Sequence, residues 1–324
     1  MTKILILTKG VQASSSRERA LVYSDLLRSN KVLYQHLGLS KRPLNYIKAI
    51  IKAPSFDIIF LQRKLVPRFF FKILRILSKK IIYDFDDAIF LDSNGEISNH
   101  KLKKFSYICS NSDLIFAGND FLKNHANKFN KNTFLIPTCL DISKYKLSVR
   151  KDKNFFDLVW IGSKSTSKYL IEIIPLLERA NKKLKDLRLI NISNVVLKSK
   201  FIPIKNILWS EQVQYKELKS AKLGLAPLDD SNWSKGKCAF KVLQYASAGI
   251  PIISSNVGVN SILIKQFDAG LLVKQENDWI KHIQKLRSNP NLYKIYKKNA
   301  ERMSNLFDLR VNYKKMKKIV KDAM

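Results

Sequence analysis

The chain has 324 residues, 46% of them hydrophobic and 10% aromatic, which is enough apolar material for two ordinary cores and too much for a disordered chain. Its 59 Lys and Arg against 26 Asp and Glu give a formal charge of +33, spread along the chain rather than gathered in a tail. Such a surface attracts polyanions of any kind: nucleic acid, anionic lipid headgroups or nucleotide phosphates. Cys109, Cys139 and Cys238 are too scattered for a disulfide framework or a zinc site, and the four histidines have no metal-ligand spacing. No secretory pattern is read over 1–20 and no charge-free apolar run is long enough to span a membrane, so a cytoplasmic setting is the expectation.

In chain order, KILILT (3–8), DIIFLQ (57–62), KIIYDF (80–85), LIFA (114–117) and TFLI (133–136) read as buried strands. Helical patterns lie between them, as over Arg17–Leu27 and Leu102–Cys109. After a polar, lysine-rich stretch at 141–154 the pattern restarts with DLVWI (157–161), LRLIN (187–191), NILW (206–209), KLGLA (222–226), IPIIS (250–254) and GLLV (270–273). Continuous apolar strands alternating with helices predict parallel sheets covered on both faces. Two such series predict an α/β protein of two doubly wound, Rossmann-like domains, 1–150 and 151–305, with ligands at the carboxyl ends of the strands. The stretch from 291 to 324 is a basic amphipathic helical pattern with no strand after it.

The most informative segment is GKCAFKVLQYASAGIPIISSNVG (236–258). Ser234-Lys235-Gly236 is loop chemistry, Cys238–Ala248 suits a helix closed by Gly249, and Pro251 opens a β-branched strand. A helix start offers free backbone N–H groups and a positive dipole end. Lys237 and Lys241, at i and i+4, are expected to project from one side of the first turn, where two cations are unfavourable unless an anion sits between them. The plain alternative is a solvated helix face in a lysine-rich chain. Elsewhere, PRFFFKILRILSKK (67–80) sets basic residues on one helical side and Leu65, Phe69, Ile73 and Ile76 on another. That pattern fits a helix lying in a membrane interface, or an ordinary helix with its phenylalanine face in the core.

GKCAFKVLQYASAGIPIISSNVGVN resembles the donor-binding segment of the retaining family-four glycosyltransferases of GT-B fold. FDIIFLQR (56–63), IIYDFDDAIF (81–90), IPTCLDISKY (136–145), DLVWIGSKSTSKYL (157–170) and AKLGLAPLDDSNWSKGK (221–237) are similar to other stretches of that family, in the right order. The resemblance implies two domains facing across a cleft, with a C-terminal helix, 306–324, returning to the first. It implies a nucleotide-sugar donor whose diphosphate is neutralised by Lys237 and Lys241, without a metal or other cofactor, and the Gly162-Ser163 turn would let backbone approach the phosphates. Arg17 is a further diphosphate candidate, and Gly10 and Arg19 are placed on the acceptor side; two solvated arginines at a helix start are the plain alternative. Asp86 or Asp87 would orient the acceptor hydroxyl or take its proton, against capping or ion pairing as the ordinary role of each. The Asp-x-Asp here, at the end of a strand in a doubly wound domain, is not read as a metal site.

The chain departs from the family at a glutamate pair eight positions apart, where it has Gly236 and Gln244. Gln244 can still bond a ribose hydroxyl; at Gly236 and Cys238 only backbone can serve the donor sugar. The function so implied is transfer of a sugar to a glycan or lipid-linked acceptor for surface polysaccharide or lipopolysaccharide, with contact to an anionic membrane at its inner face. A nucleic-acid-binding protein is the alternative from another class, although no recognised RNA- or DNA-binding motif is present and no specific nucleic acid is expected. A nucleotide-sugar epimerase is disfavoured by the lack of an acid/base pair in the donor half, and an inactive homologue is the alternative that Gly236 raises.

Overall fold

The structure, a computed structural model, describes residues 2–40, 43–92, 94–149, 152 and 154–323. Strands and helices alternate from the start: β1 (Lys3–Thr8), α1 (Ser14–Arg19), α2 (Ser24–Ser29), β2 (Leu33–Gly38), α3 (Pro43–Lys52), β3 (Ile58–Gln62), α4 (Arg68–Leu77), β4 (Lys80–Phe85), α5 (Asn99–Ser110), β5 (Leu114–Ala117), α6 (Asp120–Ala126) and β6 (Thr133–Leu135). The second series is β7 (Phe156–Ile161), α7 (Lys164–Leu184), β8 (Leu187–Ile192), β9 (Ile204–Ile207), α8 (Glu211–Ser220), β10 (Leu223–Ala226), α9 (Asn232–Lys235), α10 (Phe240–Ser247), β11 (Ile252–Ser255), α11 (Gly258–Phe267), β12 (Gly270–Val273), α12 (Asp278–Ser288), α13 (Pro290–Leu306) and α14 (Leu309–Asp322). The chain divides into two compact units, Met1–Leu140 with Ser231–Cys238 and Leu309–Met324, and Asp141–Asp230 with Ala239–Asp308. The expected division at 150/151 falls on residues outside the described set.

The first unit is a six-stranded parallel sheet, β2-β1-β3-β4-β5-β6. Side chains alternate across each strand, so a continuous apolar run feeds two cores at once. Leu5, Leu7, Ile59, Leu61, Ile81 and Tyr83 pack on one face with residues of α3, α4, α5 and α6. Ile58, Ile82, Leu114 and Phe116 on the other face meet Met316, Ile319 and Val320 of α14, the helix expected to return to this unit. Its start is tied down by Leu309 N to Leu140 O at 3.0 Å and Asn312 Nδ2 to Pro137 O at 2.6 Å.

The second unit repeats the plan as β12-β11-β10-β7-β8-β9, all parallel. Leu158, Trp160, Leu189 and Leu225 pack against Leu170, Ile173 and Leu177 of α7 and Trp279 and Ile283 of α12. The apolar runs predict every strand except β2, and place β9 two residues late. Both are sheet edges, and β2 mixes Gln35 and His36 with half-exposed apolar residues, so the signal of a buried central strand is absent there. Among the described residues no helix is long and apolar enough to cross a membrane.

Candidate active site

In the first unit the chemistry gathers where β4 ends. Asp84 is the last polar residue of that strand and faces α1, whose Arg19 donates from Nε to Asp84 Oδ2 at 3.2 Å, from Nη2 to Oδ1, and from Nη1 to Ile136 O at 2.7 Å. Both side chains are 2% exposed or less. Arg19 is therefore neither a solvated surface residue nor a free acceptor-side cation, as the sequence suggested; it is one half of a buried ion pair. Burial lifts the Asp84 carboxyl to about 6 against the pull of Arg19.

Two residues past the strand, Asp87 is held by two cations from different places in the chain: Arg63 Nη2 at 2.5 Å and Lys237 Nζ at 3.1 Å. Arg63 follows β3 with a left-handed backbone, φ 61°, and its N–H bonds Asp84 O at 2.6 Å. Asp86, between the two partnered acids, has a buried Oδ1 that meets no hydrogen-bond donor. Burial pushes the Asp86 carboxyl up and neighbouring Asp87 adds to this, while Arg63, Arg19 and Lys237 pull it down. Gln62, fully buried at the end of β3, also has both amide atoms without a partner. Unsatisfied polar atoms of this kind mark a catalytic group or a place for solvent or ligand.

The segment Ser231–Cys238 belongs to this unit although its neighbours in sequence belong to the other. Trp233 and Cys238 pack into the first unit's core. Asn119, which caps α6 with its Oδ1, turns its Nδ2 to Lys237 O at 3.1 Å, and Cys238 Sγ bonds Asp86 O at 3.1 Å. Cys238 is thus a packing residue rather than a sugar contact. Gly236 has an ordinary φ of −74°, yet a Cβ there would lie 2.6 Å from Ala88 Cβ. Ala88 fills the space that a larger side chain at position 236 requires. Gly236→Ala is expected to cost about 1–3 kcal/mol by overpacking, read as a lower denaturant midpoint, whereas Ala88→Gly/Gly236→Ala should recover most of that loss.

In the second unit β7 and β10 are neighbours where the strand order reverses, the position at which doubly wound sheets take ligands at their carboxyl ends. Past β7, Gly162 and Ser163 lead directly into α7. A Cβ at Gly162 would meet the Trp160 ring at 2.5 Å and Thr166 Oγ1 at 2.8 Å, so only glycine fits this turn. Past β10, α10 is seated by Tyr245, whose ring lies over Gly224 and whose hydroxyl donates to Leu225 O at 2.9 Å. Its end is a glycine cap: Gly249 takes φ 66° and Ile250 N reaches back to Tyr245 O at 3.2 Å. Lys241, in the first turn of α10, extends Nζ to 3.5 Å from Thr166 Oγ1 and 5.5 Å from the centre of the Trp160 ring.

These facts revise the expected lysine pair. α10 begins at Phe240, and Ala239 before it takes a left-handed φ of 55°, so Lys237 lies outside the helix and the two lysines do not share a helical face. Gln244 is 3% exposed and donates Nε2 to Gln214 Oε1 at 3.2 Å, which takes it out of reach of a ribose. Arg17 sits in the last turn of α1 rather than opening it, with Nη1 bonded to Val11 O at 3.1 Å and Gln12 O at 3.0 Å. Gly10 follows β1 at φ 130°, and a Cβ at Gly38 of β2 would lie 2.9 Å from its Cα, so the close approach rests on Gly38. The sequence reading missed Arg63, Asn119 and Thr166; Arg63 and Asn119 stand just past a strand and Thr166 in the first turn of the helix that follows one, the one signal that could have singled them out. A cavity of about 350 Å³ beside α7, lined by Glu172, Arg179, Lys182 and Phe201 among others, contains none of these residues.

Residues 206–303 match the family model described as glycosyl transferases group 1, and no curated protein matches the chain in sequence. Among solved structures, HepE of Anabaena in complex with UDP-glucose is similar with a TM-score of 0.76 at 13% identity, over 99% of this chain and 100% of that one. Sucrose-phosphate synthase of Thermosynechococcus elongatus is similar with a TM-score of 0.75 at 12% identity, covering 99% of both chains. A glycosyltransferase of Rickettsia africae is similar with a TM-score of 0.72 at 15% identity, over 99% and 98% of the two chains. The chain thus has the GT-B fold, and within it residues 206–303 form a segment that matches the glycosyl transferases group 1 model.

Proposed function

We propose that the protein transfers a sugar from a nucleoside-diphosphate donor to a glycan or lipid-linked acceptor, in surface polysaccharide or lipopolysaccharide synthesis at the inner face of a membrane. Transfer proceeds with retention and without a metal ion. The observation that carries the reading is the start of α10: a cation in its first turn, Lys241, reaching Thr166 near the start of α7. As the bond to the sugar breaks, negative charge builds on the outer phosphate of the leaving group, and a fixed cation with helix-terminal N–H groups stabilises it. We assign the diphosphate to Lys241, Gly162 and Ser163. HepE is solved with UDP-glucose and a similar trehalose-phosphate synthase of Burkholderia xenovorans is UDP-forming, so UDP is the first nucleotide to try.

In the first unit we assign Asp86 to the acceptor hydroxyl and Asp87 to holding Arg63 and Lys237 beside it. A base acts only when deprotonated, and burial raises the carboxyl of Asp86. Falling pH should therefore remove activity above the ordinary carboxylate range of about 4. Asp86→Asn should abolish that acid limb and lower kcat by about 10²–10⁴-fold. An unchanged acid limb in Asp86→Asn would assign it to another group.

The test of the reading is release of nucleoside diphosphate from a panel of nucleotide-sugars with simple glycan acceptors, in the presence of EDTA, with the anomeric configuration of the product read by NMR. Consumption of one donor with retained configuration is the expected result. Activity lost to EDTA, or an inverted product, would overturn that part of the reading. Ala88 against Gly236 favours a second reading, a protein that binds the nucleotide-sugar but does not turn it over; binding without any release in this assay would establish it.

A further inference from the structure

Two helices of the first unit, packed against each other, each carry one more apolar stripe than the core uses. α3 turns Tyr46, Ala49 and Ile50 inward, and α4 turns in Phe70, Phe71 and Leu74. Tyr46 and Phe70 meet edge to face with ring centres 4.8 Å apart. With those faces satisfied, Leu44, Ile47 and Ile51 of α3 and Phe69 and Ile76 of α4 remain between 56% and 77% exposed. They recur at helical spacing, i, i+3, i+7 on α3 and i, i+7 on α4, so each set is a stripe rather than scattered residues. Of the two readings of the 67–80 stretch, the helix does cover the sheet, but with Phe70, Phe71 and Leu74 rather than with Phe69 and Ile76, which form a second apolar side.

The charge beside these stripes has one sign. Lys48 lies within the α3 stripe and Lys72 within the α4 stripe, both exposed, and neither helix contains an Asp or Glu. We propose that this face docks on an anionic lipid surface, with the five apolar side chains at the boundary of headgroups and acyl chains and Lys48 and Lys72 on the phosphates. Five large apolar groups are the wrong surface for a nucleic acid backbone. A second copy docking through the same face would set like charges against one another. The proposal depends on the glycosyltransferase reading only for why the enzyme would work at a membrane; its test does not.

The test is co-sedimentation of the full chain with vesicles of phosphatidylcholine alone or with a third phosphatidylglycerol. The expected result is binding to the anionic vesicles only, weakened by salt. Phe69→Ser/Ile76→Ser should weaken it at least tenfold even at low salt, with circular dichroism and thermal unfolding confirming the fold. Lys297→Glu/Lys298→Glu, exposed on α13 of the other unit, makes the same change of charge as Lys48→Glu/Lys72→Glu but should lose far less. Binding by Phe69→Ser/Ile76→Ser equal to that of the parent would overturn the proposal in favour of general cationic adsorption. So would a parent that ignores anionic vesicles, or one that forms a dimer which the Phe69→Ser/Ile76→Ser variant dissolves. UDP stabilisation measured on the same samples keeps the two readings apart: its absence alongside vesicle binding counts against the donor assignment alone.

Discussion

Asp84→Asn should cost the fold about 3–5 kcal/mol, because it leaves the Arg19 guanidinium buried with no opposing charge. Arg19 and Asp84 are both almost wholly buried and joined by two hydrogen bonds, and Arg19 adds a third to Ile136 O. The carboxamide can accept one bond from the guanidinium but cannot neutralise it, and at 2% exposure the guanidinium is shielded from bulk solvent. Arg19→Met/Asp84→Leu should lose much less than Asp84→Asn, since an apolar pair of similar volume removes both desolvated charges together. Urea unfolding of the three proteins measures this directly. A loss under about 1 kcal/mol in Asp84→Asn would mean that solvent reaches the pair, because that is the range of exposed ion pairs.

Lys241→Ala should lower kcat by about 10²–10³-fold, the usual consequence of removing one preorganised group that stabilises charge developing in a transition state. The fold should hardly respond, because α10 is anchored by Tyr245 on Gly224 and by the glycine cap at its end, not by Lys241. Lys237→Ala should behave differently. Lys237 is bonded to Asp87 in the first unit, so its removal should alter the position of that carboxylate and the acid side of the pH profile. Steady-state kinetics of the two variants separate these roles: equal profiles differing only in scale would mean that both lysines act on the same group.

Much of this fold is legible in the sequence because parallel strands covered on both faces are uninterrupted apolar runs. KIIYDF and DLVWI announce β4 and β7 by composition alone. The edges are not legible, since half-exposed β2 has no such run. In the site, residue type and position past a strand pointed to Asp86, Asp87, Gly162 and Lys241. What stayed hidden were partners far away in sequence. Nothing local to SSSRER says that Arg19 will be buried on Asp84, 65 residues on. Nothing in GKCAFK reveals that Ala239 turns left-handed and ends the helical register between Lys237 and Lys241. The reason for Gly236 likewise lies with Ala88, a contact that only the packed structure contains.

The most direct test of the donor assignment is thermal unfolding of the purified protein with UDP, GDP, ADP and TDP at moderate salt, with EDTA present. Binding of one nucleotide at a hundredfold excess over its dissociation constant should stabilise the fold by about 2.7 kcal/mol. That response should vanish in Lys241→Ala. Equal stabilisation by all four nucleotides, erased by added salt and retained in Lys241→Ala, would contradict the account: the lysines would then belong to a general polyanion-binding surface.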